Sequence, residues 1–205
     1  MPPVKTRLRH LHRPFSIGLS SLFFLLPSTA SAHEASGGVG GLLSGFSHPL
    51  GGLDHIVAMV AVGLWGAILG GRAMWMLPVV FPVVMALGGA MGVLGIGLPG
   101  VEAGIALSGI VLGLMVALAW RPPLWLAAVL VGIFAVFHGH AHGTELPDAA
   151  NPLTYAIGFV IATGLLHLSG IAFGLLTKRP WGGVVVRVGG VAIALVGLGF
   201  LSGSL

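Results

Sequence analysis

Two short stretches of the sequence, HPLGGLDH and FHGHAHGTE, concentrate side chains that can bind a metal ion. Their imidazole and carboxylate groups come from His48, Asp54, His55, His138, His142 and Glu145. Such donors favour late first-row divalent ions such as nickel, cobalt, copper and zinc, and they suit calcium or magnesium poorly. The chain has no cysteine, so thiolate ligands and disulfides are excluded. The two stretches therefore predict one shared nitrogen and oxygen site.

Helical geometry groups the members of the second stretch. His138, His142 and Glu145 are spaced i, i+4 and i+7, so at about 100° per residue they share one face of a helix. His140 points to the other side of that helix. Gly143 is a further candidate for the helix end, in which case Glu145 reaches back from the following loop.

The first stretch is expected to open a helix. Proline suits a first helical position, so we expect the helix to start at Pro49 with His48 at its cap. His48 and His55 would then stack on one face, seven residues apart, with Asp54 beside them. The glycines at 51–52 are expected to loosen or break the first turn.

Three further residues are weaker members of the predicted metal-binding set. His33 would offer an α-amine and an imidazole together if the chain is cleaved after Ala32. Glu102 opens an apolar helix, where a carboxylate also stabilises the helix N-terminus. His167 lies deep in another apolar helix, either as a relay along a conduction path or as a packed histidine bonded to Ser169 or to a neighbouring helix.

Composition indicates the elements that must position these residues. Of 205 residues, 56% are hydrophobic and 7% are charged, and the mean hydropathy is +1.06, so we expect an integral membrane protein. Six apolar segments are long enough to span a bilayer, at about residues 50–70, 73–97, 101–120, 123–142, 152–177 and 183–203. The predicted fold is all-α, a polytopic bundle of six transmembrane helices packed through glycines at four-residue spacing.

A cleavable signal peptide is predicted over residues 1–32. Four basic residues precede the apolar run FSIGLSSLFFLL, and Ala30-Ser31-Ala32 suits signal peptidase. The alternative, an uncleaved first transmembrane helix, is disfavoured because the apolar run is short for a span. Residues 33–205 would then form one six-helix transport domain.

The remaining basic residues predict the orientation. With the mature N-terminus outside and six crossings, every one of them falls on the cytoplasmic side: Arg72, Arg121, Lys178, Arg179 and Arg187. The acidic residues and both histidine-rich stretches fall on the other side. We therefore expect a bacterial inner-membrane protein with both termini in the periplasm. The net positive charge of the full chain comes from the basic residues of the predicted signal peptide, so no nucleic-acid partner is expected. The sequence also has no nucleotide-binding motif.

The two motifs resemble those of the HupE/UreJ family, which is associated with hydrogenase and urease operons. The resemblance covers the whole mature chain, and members are regarded as nickel permeases, some with cobalt or other metals as substrate. It implies that transport depends on five positions, with His138 beside them: His48, Asp54, His55, His142 and Glu145.

The predicted function is Ni²⁺ uptake from periplasm to cytoplasm, with the ion as substrate and no prosthetic group. A cobalt, copper or zinc permease of the same design is the first alternative. An intramembrane zinc hydrolase is disfavoured because no HExxH motif is present, and a metal-binding protein that does not transport is a third alternative. The expected partners are the divalent ion and the lipid bilayer, and the sequence leaves the oligomeric state open.

Overall fold

The computed structural model describes residues 38–146 and 151–205, and these residues form helices and no strand. The predicted signal peptide and His33 lie outside the described residues. The helices are α1 (Gly38–Gly51), α2 (Leu53–Leu69), α3 (Ala73–Val93), α4 (Val101–Ala117), α5 (Leu124–Thr144), α6 (Pro152–Gly174) and α7 (Gly182–Ser202), with a 3₁₀ turn at Leu175–Lys178 after α6. The predicted all-α class is confirmed.

Four of these segments are each long and apolar enough to cross a membrane: α3, α5, α7, and α6 together with its 3₁₀ turn. The pair α1 and α2 counts as a fifth if it is one broken span, because the two helices meet at an angle of 84°. Helix α4 is apolar but has only 17 residues, which is slightly short for a typical span. The described part of the chain thus contains four or five such spans, and six remains a prediction.

The predicted start of the first helix is wrong. A separate helix, α1, begins at Gly38, so Pro49 lies inside it near its C-terminal end instead of in a first turn. Gly52 then adopts an extended conformation with φ −107° and ψ 118°, which separates α1 from α2. The predicted break at the two glycines is confirmed. Glycines and Pro49 lower the helix propensity of this segment, and close packing of Gly45 against the backbone of Tyr155 on α6 compensates.

Glycines bring particular helices into backbone contact. Helix α3 packs on α5, α4 packs on α7, and both α1 and α2 pack on α6. A Cβ atom at Gly139 would overlap the Met85 carbonyl, and one at Gly113 would approach the Ala194 nitrogen to 2.5 Å. The predicted packing role of small residues is confirmed at these contacts. Gly70 is an exception, since it lies in a turn at φ +71° with no neighbour near its missing Cβ.

Helix α2 lies at the centre of the described bundle. It contacts α1, α3, α4, α6 and α7, and the side chains of Met59, Val62 and Trp65 are fully buried. Trp65 donates its indole N–H to the carbonyl of Trp120 at 2.9 Å. Arg72 and Arg121 line a cavity at the C-terminal end of α2, whereas the histidine-rich stretches lie near its N-terminal end. The helices therefore separate a basic end from an imidazole-rich end.

Candidate metal centre

The last turns of α5 present two different faces. Gly139 and Gly143 point at α3, where added Cβ atoms would overlap the carbonyl oxygens of Met85 and Gly89. His138 and His142 precede these glycines by one residue each, so they project about 100° away around the helix. The spacing HGxxHG therefore allows α3 to approach one face while imidazoles occupy the next. Glu145 follows α5 as its C-cap residue, with its backbone N–H on the Ala141 carbonyl.

At the start of α2, Asp54 holds His55. One carboxylate oxygen of Asp54 accepts from the His55 backbone N–H at 2.8 Å and from His55 Nδ1 at 2.9 Å. His55 Nε2 is buried and has no hydrogen-bond partner. A Cβ on Gly52 would lie 2.7 Å from that carboxylate oxygen and 3.0 Å from His55 Nδ1, so the break between the helices also makes room for this pair.

Four imidazole rings form a continuous row between these elements. The ring of His142 lies 4.8 Å from that of His48 and 4.3 Å from that of His55, and His55 lies 4.7 Å from His138. Both nitrogens of His142 are buried without a hydrogen-bond partner. Helices α2 and α5 are not among the closely packed helix pairs, so the predicted face-to-face meeting is wrong for their backbones. Their imidazoles instead fill the space between them.

Three of the ligand-type side chains meet at the outer end of this row. One ligand atom each from His48, His142 and Glu145 lies within 4.8 Å of the others, and His48 Nε2 is 3.2 Å from Glu145 Oε2. Bonds from nitrogen or oxygen to a late first-row divalent ion are close to 2 Å, so two ligand atoms of one ion lie at most about 4 Å apart. Small side-chain movements would therefore allow these three groups to bind one ion.

One cavity of about 420 Å³ exposes most of the predicted ligands to the same space. Its lining includes His48, Asp54, His55, Glu102, His142 and Glu145. Side-chain exposure falls from 56% at Glu145 through 24% at His48 to 11% at His55, and His138 is fully buried beyond them. The cavity thus leads from an acidic, accessible mouth to buried imidazoles.

Comparison with known proteins shows the family of this chain. The model of the protein family described as "HupE / UreJ protein" matches residues 21–200. A curated relative, "Protein HupE" from Rhizobium leguminosarum bv. viciae, is 50% identical over 178 residues, which cover 87% of this chain and 93% of the relative. The chain belongs to the HupE/UreJ family. No solved structure matches it.

In this HupE/UreJ chain, the six principal predicted ligands converge on the row of rings and its cavity. A further difference from the prediction is that His48 and His55 do not stack on one helical face. The 84° bend at Gly52 places them on different helices, and each reaches His142 separately. Glu102 lines the same cavity.

Two other histidines lie apart from the cavity. His140 points away from the row as predicted, with Nε2 2.8 Å from the carbonyl oxygen of Ile96. His167 is buried, and neither of its ring nitrogens has a hydrogen-bond partner. The alternative in which His167 bonds Ser169 or a neighbouring helix is wrong for the described residues, because neither ring nitrogen has a hydrogen-bond partner there and Ser169 donates to the Leu166 carbonyl. The ring of Phe81 packs against both His167 and His138, with ring centroids 5.4 Å and 5.5 Å apart.

Sequence reasoning missed several residues that contact the imidazoles. Ser108 on α4 bonds His138 Nε2 at 2.8 Å. Phe159 on α6 packs against His142 with ring centroids 4.4 Å apart, and Tyr155 packs against His48 at 5.8 Å. Two of these residues had a weak signal: Ser108 is the single hydroxyl residue within the apolar sequence of α4, and Tyr155 is the single tyrosine of the chain. Phe159 resembles any other phenylalanine in an apolar helix.

Proposed function

We propose that this HupE/UreJ protein is a permease that imports Ni²⁺ from the periplasm into the cytoplasm. The observation that carries the proposal is the row of four imidazoles with carboxylates at one cavity, in a bundle of apolar helices. Nitrogen-rich sites of this kind favour nickel, cobalt, copper or zinc. Among these, the association of the family with hydrogenase and urease operons favours nickel.

The gradient of exposure supports stepwise dehydration of the ion. At the mouth, Glu145 and Glu102 attract the hydrated cation, since clefts of one charge sign concentrate counter-ions. His48, His142 and Glu145 can then replace part of its water shell. Transfer to the pair His55 and His138 would exchange the remaining waters for buried imidazole nitrogens. A series of moderately strong sites permits release as well as binding, which conduction requires.

In this proposal the inward path of the ion passes the ring of Phe81. That ring has no lone pair to offer an ion, and it lies against both His138 and His167. Movement of Phe81 would connect the outer histidines with His167, which we assign as the inner relay. The chain has no nucleotide-binding motif, and an inside-negative potential supplies about 4.6 kcal/mol per 100 mV for a doubly charged ion. Import is therefore feasible without coupling to ATP.

The test is uptake of ⁶³Ni²⁺ into sealed liposomes that contain the purified protein and carry an imposed inside-negative potential. We expect saturable uptake that depends on the potential, and background uptake for His55→Ala. His140→Ala is the matched control, because His140 bonds the Ile96 carbonyl away from the cavity, and it should retain uptake. Binding without accumulation in the liposome lumen would contradict a permease and favour a metal-binding protein that does not transport.

A further inference from the structure

A buried hydroxyl on α4 reaches the innermost imidazole of the row. Ser108 and His138 are both fully buried. Ser108 Oγ lies 2.6 Å from the carbonyl oxygen of Ile105 and 2.8 Å from His138 Nε2. Both distances are those of good hydrogen bonds.

These two contacts assign the protons. Two oxygens 2.6 Å apart require a hydrogen between them, and the Ile105 carbonyl has none to give. The one hydroxyl hydrogen of Ser108 is therefore donated to Ile105, and its Oγ can only accept from His138. His138 Nε2 must then carry a hydrogen. In the neutral imidazole that binds metals, the other nitrogen, Nδ1, is left with a free lone pair.

The neighbouring imidazole, that of His55, is hydrogen-bonded through Nδ1, whereas His138 is bonded through Nε2. Asp54 accepts from His55 Nδ1, which leaves His55 Nε2 free. His55 Nε2 and His138 Nδ1 are both buried and have no hydrogen-bond partner, and the two rings are 4.7 Å apart with their planes at 87°. Metal-binding histidines commonly donate their second N–H to such an acceptor, which fixes the tautomer and the ring orientation.

We propose that Ser108 is the positioning residue of His138, and that it selects the Nε2–H tautomer so that Nδ1 is the atom that binds the ion. Ser108 does not touch the ion itself; it acts through the imidazole. The metal-binding part of this inference rests on the proposed function, whereas the tautomer is a property of the metal-free protein.

The direct test is ¹⁵N NMR of the histidine side chains in metal-free protein, because protonated and unprotonated ring nitrogens have different shifts. The His138 signals are assigned by their loss in His138→Gln. We expect Nδ1 of His138 to be unprotonated in the wild-type protein and Ser108→Ala to shift the population toward the Nδ1–H tautomer. Thr163→Val is the matched control, since it removes a buried hydroxyl that has no hydrogen-bond partner and should leave His138 unchanged.

Nickel affinity of the same variants completes the test. Loss of a hydrogen bond to a metal-binding histidine typically weakens affinity by about 10- to 100-fold, and we expect this for Ser108→Ala. Ser108→Thr keeps the hydroxyl and should restore the wild-type tautomer. A wild-type spectrum with Nδ1–H at His138, or an unchanged tautomer in Ser108→Ala, would overturn the inference.

The two proposals can fail separately. Liposomes that accumulate nickel while the His138 tautomer does not depend on Ser108 would support the permease and refute the positioning role. A Ser108-dependent tautomer in a protein that neither binds nor moves nickel would support the tautomer assignment and refute both the permease and the metal-binding role of Nδ1.

Discussion

Two adjacent faces of α5 differ in how they pack: one is in close backbone contact with α3, and the other carries imidazoles that face α2. On the face toward α3, Gly139 and Gly143 bring two backbones into contact and leave no space for a side chain. On the face toward α2, His138 and His142 extend into a gap that the backbones do not close, and several of their nitrogens have no hydrogen-bond partner. We infer that the first face holds the helices together, while the second keeps ligand atoms without hydrogen-bond partners available for an ion. The glycines that stabilise the fold and the histidines that would bind the ion are therefore neighbours in the sequence.

The largest effect is expected from His142→Leu. His142 contacts both His48 and His55, so its removal should reduce nickel binding to background. A buried polar group without a partner costs stability, and an apolar replacement of similar size is neutral or stabilising. The thermal unfolding temperature in detergent should therefore not fall. A clear loss of stability together with retained nickel binding would reverse the roles that we assign to the two faces.

Gly139→Ala should have the converse effect. Its Cβ would overlap the Met85 carbonyl and lie 2.9 Å from the Gly89 nitrogen, and backbone atoms cannot move aside cheaply. We expect destabilisation of at least about 1–3 kcal/mol, measured by thermal or denaturant unfolding. Gly132→Ala on the same helix is the control, because its nearest neighbour would be a Val84 methyl group at 3.8 Å. Equal stability of the two variants would argue against the close contact of α3 and α5.

A smaller effect, confined to binding, is expected from Gly52→Ala. The added Cβ meets the side chains of Asp54 and His55, which can move, so the protein should fold while His55 is displaced. We expect nickel affinity to fall about tenfold, the lower end of the range for disturbed support of a metal ligand. Gly51→Ala should bind normally, since a Cβ there would have no neighbour within 4 Å. Isothermal titration of both variants measures the difference, and equal affinities would count against the geometry of the Asp54–His55 pair.

The smallest effect is expected from Glu102→Gln. Glu102 is exposed at the mouth of the cavity, so its attraction for the ion is screened by salt. We expect about a threefold higher KM for nickel uptake at low ionic strength and little difference at high salt, with kcat unchanged. A salt-independent loss of uptake would indicate that Glu102 binds the ion directly.

The sequence was most informative where spacing within one helix decides the outcome. His138 and His142 could be assigned to one face of α5, with His140 on another, because a regular helix fixes those directions. Most helix ends fell within a few residues of the predicted ones, since apolar runs end where polar and turn-forming residues begin. The break at Gly52 was also predictable from two consecutive glycines.

Relations between helices were harder to predict. Helix α1 has glycines that weaken an isolated helix, and it forms where α6 offers a close-fitting backbone. The 84° bend then takes His48 and His55 off a common face, and only tertiary packing returns both to His142. The contact between Ser108 and His138 spans 30 residues and two helices, so no periodicity reveals it.

The most direct test of the central claim is X-ray absorption at the nickel edge of the purified protein loaded with one equivalent of Ni²⁺. Imidazole ligands give characteristic multiple scattering from the ring atoms. The account predicts at least two histidine nitrogens on a single bound ion, with their contribution lost in His142→Leu and unchanged in His140→Ala. A shell of oxygen atoms alone, or a histidine signal that persists in His142→Leu, would contradict it.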